Sequence, residues 1–196
     1  MTLVLCGCTK TDEPPLVIAT NLWPGYAPLH LAENIGVLDT QLIRPVDVSS
    51  TQELIRGLAN GTLDGGGATL EQAINILTLG LDVVIVLVAD ISDGADTLLA
   101  NPTFPTIESL QDARIGVEGD ALAELMLTRA AQSADVNPEA FTRVDLSLMK
   151  HDEAYRDGLV DAVVTFEPMR TKLLNMGAVE LFSSRDIPGE IIDVIV

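Results

Sequence analysis

A short apolar run followed by an aromatic turn constrains the fold of this chain most. Residues 16–19 are all apolar, and this run is too short for a helix, which is typical of a strand buried on both faces of a parallel sheet. The turn at residues 23–26, Trp-Pro-Gly-Tyr, contains the only Trp of the chain, and Pro28 then stands where a first helical turn tolerates it. The sequence therefore predicts a strand, an aromatic turn and a helix in succession.

The two rings of this turn, Trp23 and Tyr26, admit two interpretations. Ligands of open α/β sheets bind at the carboxyl ends of the strands, where rigid amphipathic rings on a loop are well placed to contact them. The alternative is that the rings only cover the edge of the hydrophobic core. We take the first interpretation as the working hypothesis.

Apolar runs and helical segments alternate to the end of the chain. Further strands are predicted over residues 45–48, 65–69, 82–91, 96–100, 114–117, 141–146, 161–165, 179–182 and 191–196. Helices are predicted over residues 27–36, 70–79, 107–112, 121–132, 151–157 and 169–175, and a further helix is predicted between N-cap candidates at 49–51 and its close at 61–64. This alternation predicts an α/β fold.

A weak internal repeat suggests two lobes of similar plan. A Gly-x-x-Asp join at residues 61–64 precedes a strand that ends at Thr69, and a second one at residues 158–161 precedes a strand that ends at Thr165. Such a join is common by itself, but the matching order favours two α/β lobes. The expected division is a first lobe over residues 16–90, a crossing over 91–98, a second lobe over 99–188 and a return strand over 189–196.

Both cysteines lie near the N-terminus, in the Leu-Cys-Gly-Cys sequence of residues 5–8. They are close together and have no His nearby, which argues against a zinc site. The apolar residues before Cys8 instead resemble the end of a bacterial lipoprotein signal, in which this Cys is lipidated after cleavage. We expect lipidation at Cys8 and a signal remnant with a linker over residues 1–15. A chance apolar N-terminus is the alternative, because a complete signal is longer.

The formal net charge of −18 makes several classes of partner unfavourable. Such a field repels nucleic acids and anionic membrane surfaces, and the longest apolar run, residues 83–89, is too short to span a membrane. His30 and His151 are expected on solvent-facing helices, so they support neither a Ser-His-Asp triad nor a metal site. Glycines 65–67 lack the Lys-Ser/Thr of a phosphate loop. We expect no catalytic residue, no metal and no cofactor.

Four turns at the carboxyl ends of predicted strands carry the candidate binding residues. Two lie in each lobe, at residues 22–26, 68–70, 118–121 and 165–167. If the lobes face each other, these turns line a cleft. Helix capping is the alternative role for Glu118, Asp120 and Glu167. None of the turns contains Arg or Lys, so the cleft favours a cation, or a molecule rich in hydroxyl and amine groups, over nitrate or sulfonate.

Several motifs together resemble one known family. They are Asn-Leu-Trp-Pro-Gly-Tyr-Ala-Pro-Leu-His-Leu-Ala at residues 21–32, Gly-Val-Leu at 36–38, Leu-x-x-Gly-x-x-Asp at 58–64 and Asp-Ala-Val-Val at 161–164. These motifs are similar to the nitrate/sulfonate/taurine and thiamine-precursor group of ABC-importer substrate-binding proteins. The resemblance implies the periplasmic binding protein type II fold, an α/β fold of two lobes, each a mostly parallel sheet with flanking helices. In that family the lobes close on a small solute, which passes to a membrane permease.

The resemblance also implies a site and a function. The residues expected to contact the solute are Trp23, Tyr26, Thr69, Asp93, Glu118, Gly119, Thr165 and Glu167. The expected function is that of a periplasmic or cell-surface protein that captures a small polar or aromatic/cationic molecule and is not an enzyme. Two alternatives of similar fold stay open: an enzyme of pyrimidine-precursor or menaquinone-pathway type, and a ligand-sensing effector domain. Since the family adds helices to the first lobe after the return strand, the C-terminal part of that lobe is expected to be missing here.

Overall fold

The computed structural model describes residues 13–196, whose strands form two five-stranded sheets. The strands are β1 (Leu16–Thr20), β2 (Ile43–Asp47), β3 (Gly65–Thr69), β4 (Leu87–Ile91), β5 (Thr97–Ala100), β6 (Arg114–Val117), β7 (Thr142–Asp145), β8 (Ala162–Thr165), β9 (Val179–Ser183) and β10 (Ile192–Ile195). The helices are α1 (Ala27–Asn34), α2 (Thr51–Asn60), α3 (Leu70–Thr78), α4 (Ala121–Ser133), α5 (His151–Arg156) and α6 (Met169–Asn175). Cys8 lies outside the described residues, so its lipidation stays a prediction.

Each sheet combines parallel and antiparallel pairs. The first sheet has the order β2-β1-β3-β10-β4, and the second has the order β7-β6-β8-β5-β9. Strand β10 is antiparallel to both of its neighbours, and so is β5. Both sheets are therefore mixed, with four strands that run in one direction and one that runs in the opposite direction. The reason is that β5 and β10 are the strands by which the chain enters one sheet from the other. We call the first sheet with α1–α3 the first lobe, and the second sheet with α4–α6 the second lobe.

The Gly-x-x-Asp repeat has the same structural role in both lobes. Its glycines end a helical turn with φ of 70° and 67°, a conformation that favours glycine. Its aspartates accept a hydrogen bond from a neighbouring strand. Val17 N–H of β1 donates to Asp64 Oδ2 at 2.8 Å, and Arg114 N–H of β6 donates to Asp161 Oδ2 at 2.9 Å. The repeat thus joins β3 to β1 in the first lobe and β8 to β6 in the second.

Two connections between the sheets lie side by side. Ser92, after β4, and Ser184, after β9, are buried, and their hydroxyl oxygens are 2.9 Å apart. Gly94 N–H donates to the Ser184 hydroxyl oxygen at 2.6 Å. These polar contacts fix the point at which the chain crosses in both directions.

The predicted strand over residues 82–91 is wrong in its first half. The strand begins only at Leu87, and Val84 and Val86 are 76% and 72% exposed. Leu16 is also 52% exposed, so the burial of β1 on both faces holds only for its second half. The apolar character of these runs predicted burial, but no described element covers this edge of the first lobe. Over residues 13–196, none of the helices has the length and apolar character to cross a membrane.

Candidate ligand-binding cleft

The ends of strands from both lobes meet at one cleft. Its inner part, which we call the inner chamber, has a volume of about 10 Å³, or the space of about one water molecule. The lining residues are Asn21, Trp23, Tyr26, Ala68, Thr69, Gln72, Asp96, Glu118, Leu122, Phe166 and Asp193. In this structure the chamber therefore has room for no more than about one water molecule.

Hydrogen bonds and close packing fix the two rings of the aromatic turn. Trp23 Nε1–H donates to Asp90 Oδ2 at 3.0 Å, and the Tyr26 hydroxyl lies 3.3 Å from Asp193 Oδ1. A Cβ atom at Gly67 would lie 2.6 Å from the Tyr26 ring, so the small residues of β3 make room for this ring. Burial raises the pKa of the Tyr26 hydroxyl above its usual value and keeps it protonated. Both rings line the chamber and are also buried in the core, so the two interpretations of the turn are compatible.

Several side-chain contacts join the two lobes at the inner chamber. The Trp23 ring meets Phe166 edge-on, with the ring centroids 5.8 Å apart. Asp120 caps α4 by accepting from a backbone N–H, and it also accepts from Gln72 Nε2 at 2.7 Å and Thr51 Oγ1 at 3.2 Å. The capping role weighed for Asp120 is thus present, and the same carboxylate also joins the second lobe to α2 and α3.

Two buried carboxyl groups lie in the chamber wall. Asp96 and Asp193 are 3% and 4% exposed, and Oδ2 of each has no hydrogen-bond partner among residues 13–196. Burial raises the pKa of Asp96 to about 7. Burial, together with the charges of Asp90 and Asp96, raises the pKa of Asp193 to about 8. Both carboxyl groups therefore gain or lose a proton near neutral pH.

Glu118 connects the inner chamber with a wider outer part of the cleft. Burial, with the neighbouring charge of Asp120, raises the pKa of Glu118 to about 7. The outer part has a volume of about 390 Å³, which suits a small organic molecule. Asn21, Glu118 and Phe166 line both parts, so a solute that reaches the chamber passes these three residues.

His151 is buried beneath the cleft, so the expectation of a solvated His151 is wrong. Its Nδ1 lies 3.2 Å from Thr165 Oγ1, and its side chain is fully buried. Burial lowers the pKa of His151 to about 4 and keeps the ring neutral. The error arose because α5 is short and packs on β8 at its first residue. His30 is half-buried, with Nε2 2.6 Å from Thr20 Oγ1.

The structure brings most of the predicted site residues together. Trp23, Tyr26, Thr69 and Glu118 line the chamber, and Thr165 lines a small adjoining cavity with Asp96 and His151. The predicted residues that line neither cavity are Asp93, Gly119 and Glu167.

These three residues have local roles. Asp93 is exposed and pairs with Arg185 at 3.2 Å beside the lobe crossing. Glu167 accepts from the Thr171 backbone N–H at 3.2 Å in the first turn of α6, which is the capping role weighed for it, and from the Thr171 hydroxyl at 2.9 Å. The Gly119 carbonyl accepts from Gln52 Nε2 at 3.2 Å and so joins the lobes at the rim.

Sequence reasoning missed several lining residues. They are Asn21, Gln72, Asp96, Leu122 and Asp193, while Phe166 lies in the predicted turn at residues 165–167 but was not singled out within it. Asp193 carried a usable signal, because it interrupts the apolar run of the last strand. Asp96 carried none, since its burial depends on how the two crossings pack together.

The charged lining is acidic throughout the part of the chain that the structure describes. Asp96, Glu118 and Asp193 line the chamber, and no Lys or Arg of residues 13–196 does. Within the same residues, no group of three or more His, Cys, Asp or Glu side chains is placed to hold a metal ion. The charged groups of this chamber therefore complement a positive ligand.

Comparison with solved structures finds the same architecture in periplasmic binding proteins. The alkanesulfonate-binding protein SsuA from Xanthomonas axonopodis pv. citri, bound to MOPS, matches with a TM-score of 0.77 and 22% identity over 93% of this chain and 65% of its own. The ligand-binding component of an ABC-type import system from Staphylococcus aureus, with zinc bound, matches with a TM-score of 0.79 and 14% identity over 93% and 65% of the two chains. The nitrate-binding protein NrtA from Synechocystis PCC 6803 matches with a TM-score of 0.66 and 13% identity over 93% and 56%.

These likenesses establish the fold as that of the two-lobe periplasmic binding proteins. The resemblance to ABC-importer binding proteins is thereby confirmed at the level of the fold, and the proteins it matches are binding proteins rather than enzymes. The chain spans less than two thirds of the length of these structures. No protein-family model and no curated protein sequence matches the chain.

Proposed function

We propose that this chain is the extracytoplasmic solute-binding component of an ABC importer, which captures a small polar or aromatic/cationic molecule and carries out no chemistry. The observation that carries the proposal is the convergence of side chains from both lobes on one chamber. Trp23 and Tyr26 come from the first lobe, and Glu118 and Phe166 come from the second. A solute bound there contacts both lobes, so its binding energy favours the closed arrangement.

The proposed function requires a membrane permease as the partner that receives the solute. The protein would act in the periplasm or at the cell surface, held by a lipid on Cys8. For this action we propose the lobe boundaries expected from the sequence, with rotation about the crossing at residues 91–98. The buried contact between Ser92 and Ser184 supports a fixed pivot at that place.

We propose Trp23, Tyr26, Thr69, Glu118 and Thr165 as solute-contacting residues. Glu118 lies where the chamber meets the outer part of the cleft, so it is positioned to contact an entering solute. Asp93 and Glu167 pair with Arg185 and Arg170 instead. These two acids supply matched control positions for variants of the cleft acids.

The test is mass spectrometry of the protein purified without denaturation. We expect a retained small molecule of defined mass that is released unchanged when the protein unfolds. Glu118→Gln should lower its occupancy, whereas Glu167→Gln should leave it unaltered. Conversion of the recovered solute by the purified protein would contradict a purely binding role. Failure to retain any small molecule, with the lobes folded, would contradict solute capture itself.

A further inference from the structure

The inner chamber is lined by two buried carboxyl groups, each with one oxygen to which no N–H or O–H group of the described residues donates. Asp96 Oδ2 and Asp193 Oδ2 are buried, and neither has a partner within the described part of the chain. A buried carboxylate oxygen without a partner is costly, and native structures keep few such atoms. Both oxygens belong to side chains that line the chamber. They are therefore suited to a ligand that donates hydrogen bonds.

The stronger donors around the chamber are already engaged with protein acceptors. Trp23 Nε1–H donates to Asp90, and Gln72 Nε2–H donates to Asp120. The Tyr26 hydroxyl faces backbone carbonyls and Asp193 Oδ1. The amide of Asn21 and the hydroxyl of Thr69 are neutral groups that can donate or accept a hydrogen bond, so they do not decide the sign of the ligand's charge.

The surrounding charge has one sign. The charge of Asp90 raises the pKa of both Asp96 and Asp193, and Glu71 and Asp120 act on Asp96 in the same direction. An anion in this chamber would add a further like charge at low dielectric constant. A cation would instead offset the charge of two ionised carboxyl groups.

We propose that the inner chamber binds the positively charged head of an organic nitrogen cation, whose N–H groups donate to Asp96 and Asp193 beside the rings of Trp23 and Phe166. This inference rests on the proposed function and names the substrate class of the same site. An ammonium or amidinium head supplies several N–H donors together with the charge. The aromatic rings then add a favourable contact for a cation or a flat group.

An organic cation fits the chamber better than a bare metal ion. Across residues 13–196, no three potential metal ligands are grouped as a metal site requires. Trp23 and Phe166 place apolar ring surface next to the acids. The chamber has room for about one water, so the lobes must separate to admit the head, while the rest of the solute occupies the outer part of the cleft.

The experiment compares three probes of nearly the same shape: benzamidinium, benzamide and benzoate. Calorimetric titration of the full chain at about pH 7.5 keeps the first positive, the second neutral and the third negative. We expect benzamidinium to bind at least about tenfold more tightly than benzamide, and benzoate not to bind. Asp96→Asn should weaken benzamidinium by roughly 10- to 100-fold. The control Asp157→Asn, at an exposed carboxylate that lines neither part of the cleft, should leave its affinity unchanged.

Asp193→Asn is the second variant, and circular dichroism verifies that both variants fold. Equal affinity for benzamidinium and benzamide, or an unaltered affinity in both variants, would overturn the inference. Equilibrium dialysis against a defined mixture of cationic, neutral and anionic metabolites separates the two proposals. Retention of cations supports both of them. Retention of an anion or a neutral molecule alone overturns the cation inference but leaves solute capture standing, and retention of nothing overturns both.

Discussion

The rings of Trp23 and Phe166 meet edge-on across the boundary between the two lobes, with centroids 5.8 Å apart and ring planes at 76°. Trp23 follows the first strand of the first lobe, and Phe166 follows β8 of the second lobe. The contact therefore joins the two lobes at the cleft. A solute in the inner chamber contacts the same pair of rings, which links recognition to closure.

Loss of the Phe166 ring should weaken solute binding while the fold is kept. Phe166→Leu retains apolar volume but removes the aromatic contact, so we expect a loss of roughly 1–3 kcal/mol, or about one to two decades of affinity. The control is Leu159→Ala, at a side chain that is 58% exposed. Titration with the solute recovered from the purified protein measures the effect. Equal affinity of Phe166→Leu and the wild type would contradict the contact.

Tyr26 should contribute to stability as well as to the cleft. Its hydroxyl is buried among the Ala68 carbonyl at 3.1 Å, the Val194 carbonyl at 3.2 Å and Asp193. Tyr26→Phe leaves these acceptors without that donor, so we expect a loss of about 1–3 kcal/mol in the free energy of unfolding. Urea titration measures it. A variant as stable as the wild type would show that the hydroxyl contacts are not stabilising.

The free energy of unfolding should fall as pH rises from about 4 to about 8. Asp96, Glu118 and Asp193 have pKa values raised to about 7, 7 and 8 by burial, so in this window the folded chain holds protons that the unfolded chain has lost. The contribution of these three groups to the free energy of unfolding is complete below their pKa values in the unfolded chain. It is lost as pH rises through their pKa values in the folded chain. His151, whose pKa is lowered to about 4, opposes this trend only below about 6.5.

The slope between about pH 6.5 and 8 therefore reports the acids alone. Thermal melts across this range should show a declining melting temperature in the wild type and a flatter profile in Asp96→Asn and Asp193→Asn. The control Asp93→Asn, at an exposed carboxylate, should keep the wild-type slope. Identical slopes in all four proteins would contradict the assignment.

Binding of a cationic solute should release protons. A positive head favours the ionised forms of Asp96 and Asp193, whose pKa values of about 7 and 8 leave both partly protonated near neutral pH. Calorimetry in two buffers of different ionisation enthalpy measures the number of protons exchanged. We expect release in the wild type and a smaller release in Asp96→Asn. Proton uptake, or no dependence on the buffer, would contradict the account.

The sequence was sufficient to predict the α/β fold and much of the cleft. The aromatic turn and Glu118 follow predicted strands, and Thr69 ends one. Ligands of open α/β sheets bind at the carboxyl ends of the strands, so the position of these residues at the cleft could be predicted. Asp96 was harder to predict. Asp96 is buried by the packing of the two crossings, and a contact between segments far apart in the chain leaves no local pattern.

Burial was the property that local sequence predicted least well. An apolar run predicted a buried strand at residues 82–86, yet Val84 faces solvent, whereas His151 on a short helix is fully buried. Both depend on which element packs over the residue, and hydrophobicity alone does not specify that. The capping roles of Asp120 and Glu167 were among the weighed alternatives because they depend on residues within four positions.

Closure of the lobes on the solute is the central claim, and the distance between the walls of the cleft tests it most directly. Spin labels at Ser49→Cys and Met149→Cys, which line opposite walls of the outer part, report that distance after Cys6 and Cys8 are replaced by Ser. Pulsed electron–electron double resonance should show a broad distribution of distances between the labels without solute. With the solute recovered from the purified protein, it should show one narrow peak at a shorter distance. An unchanged distribution at saturating solute would contradict the account.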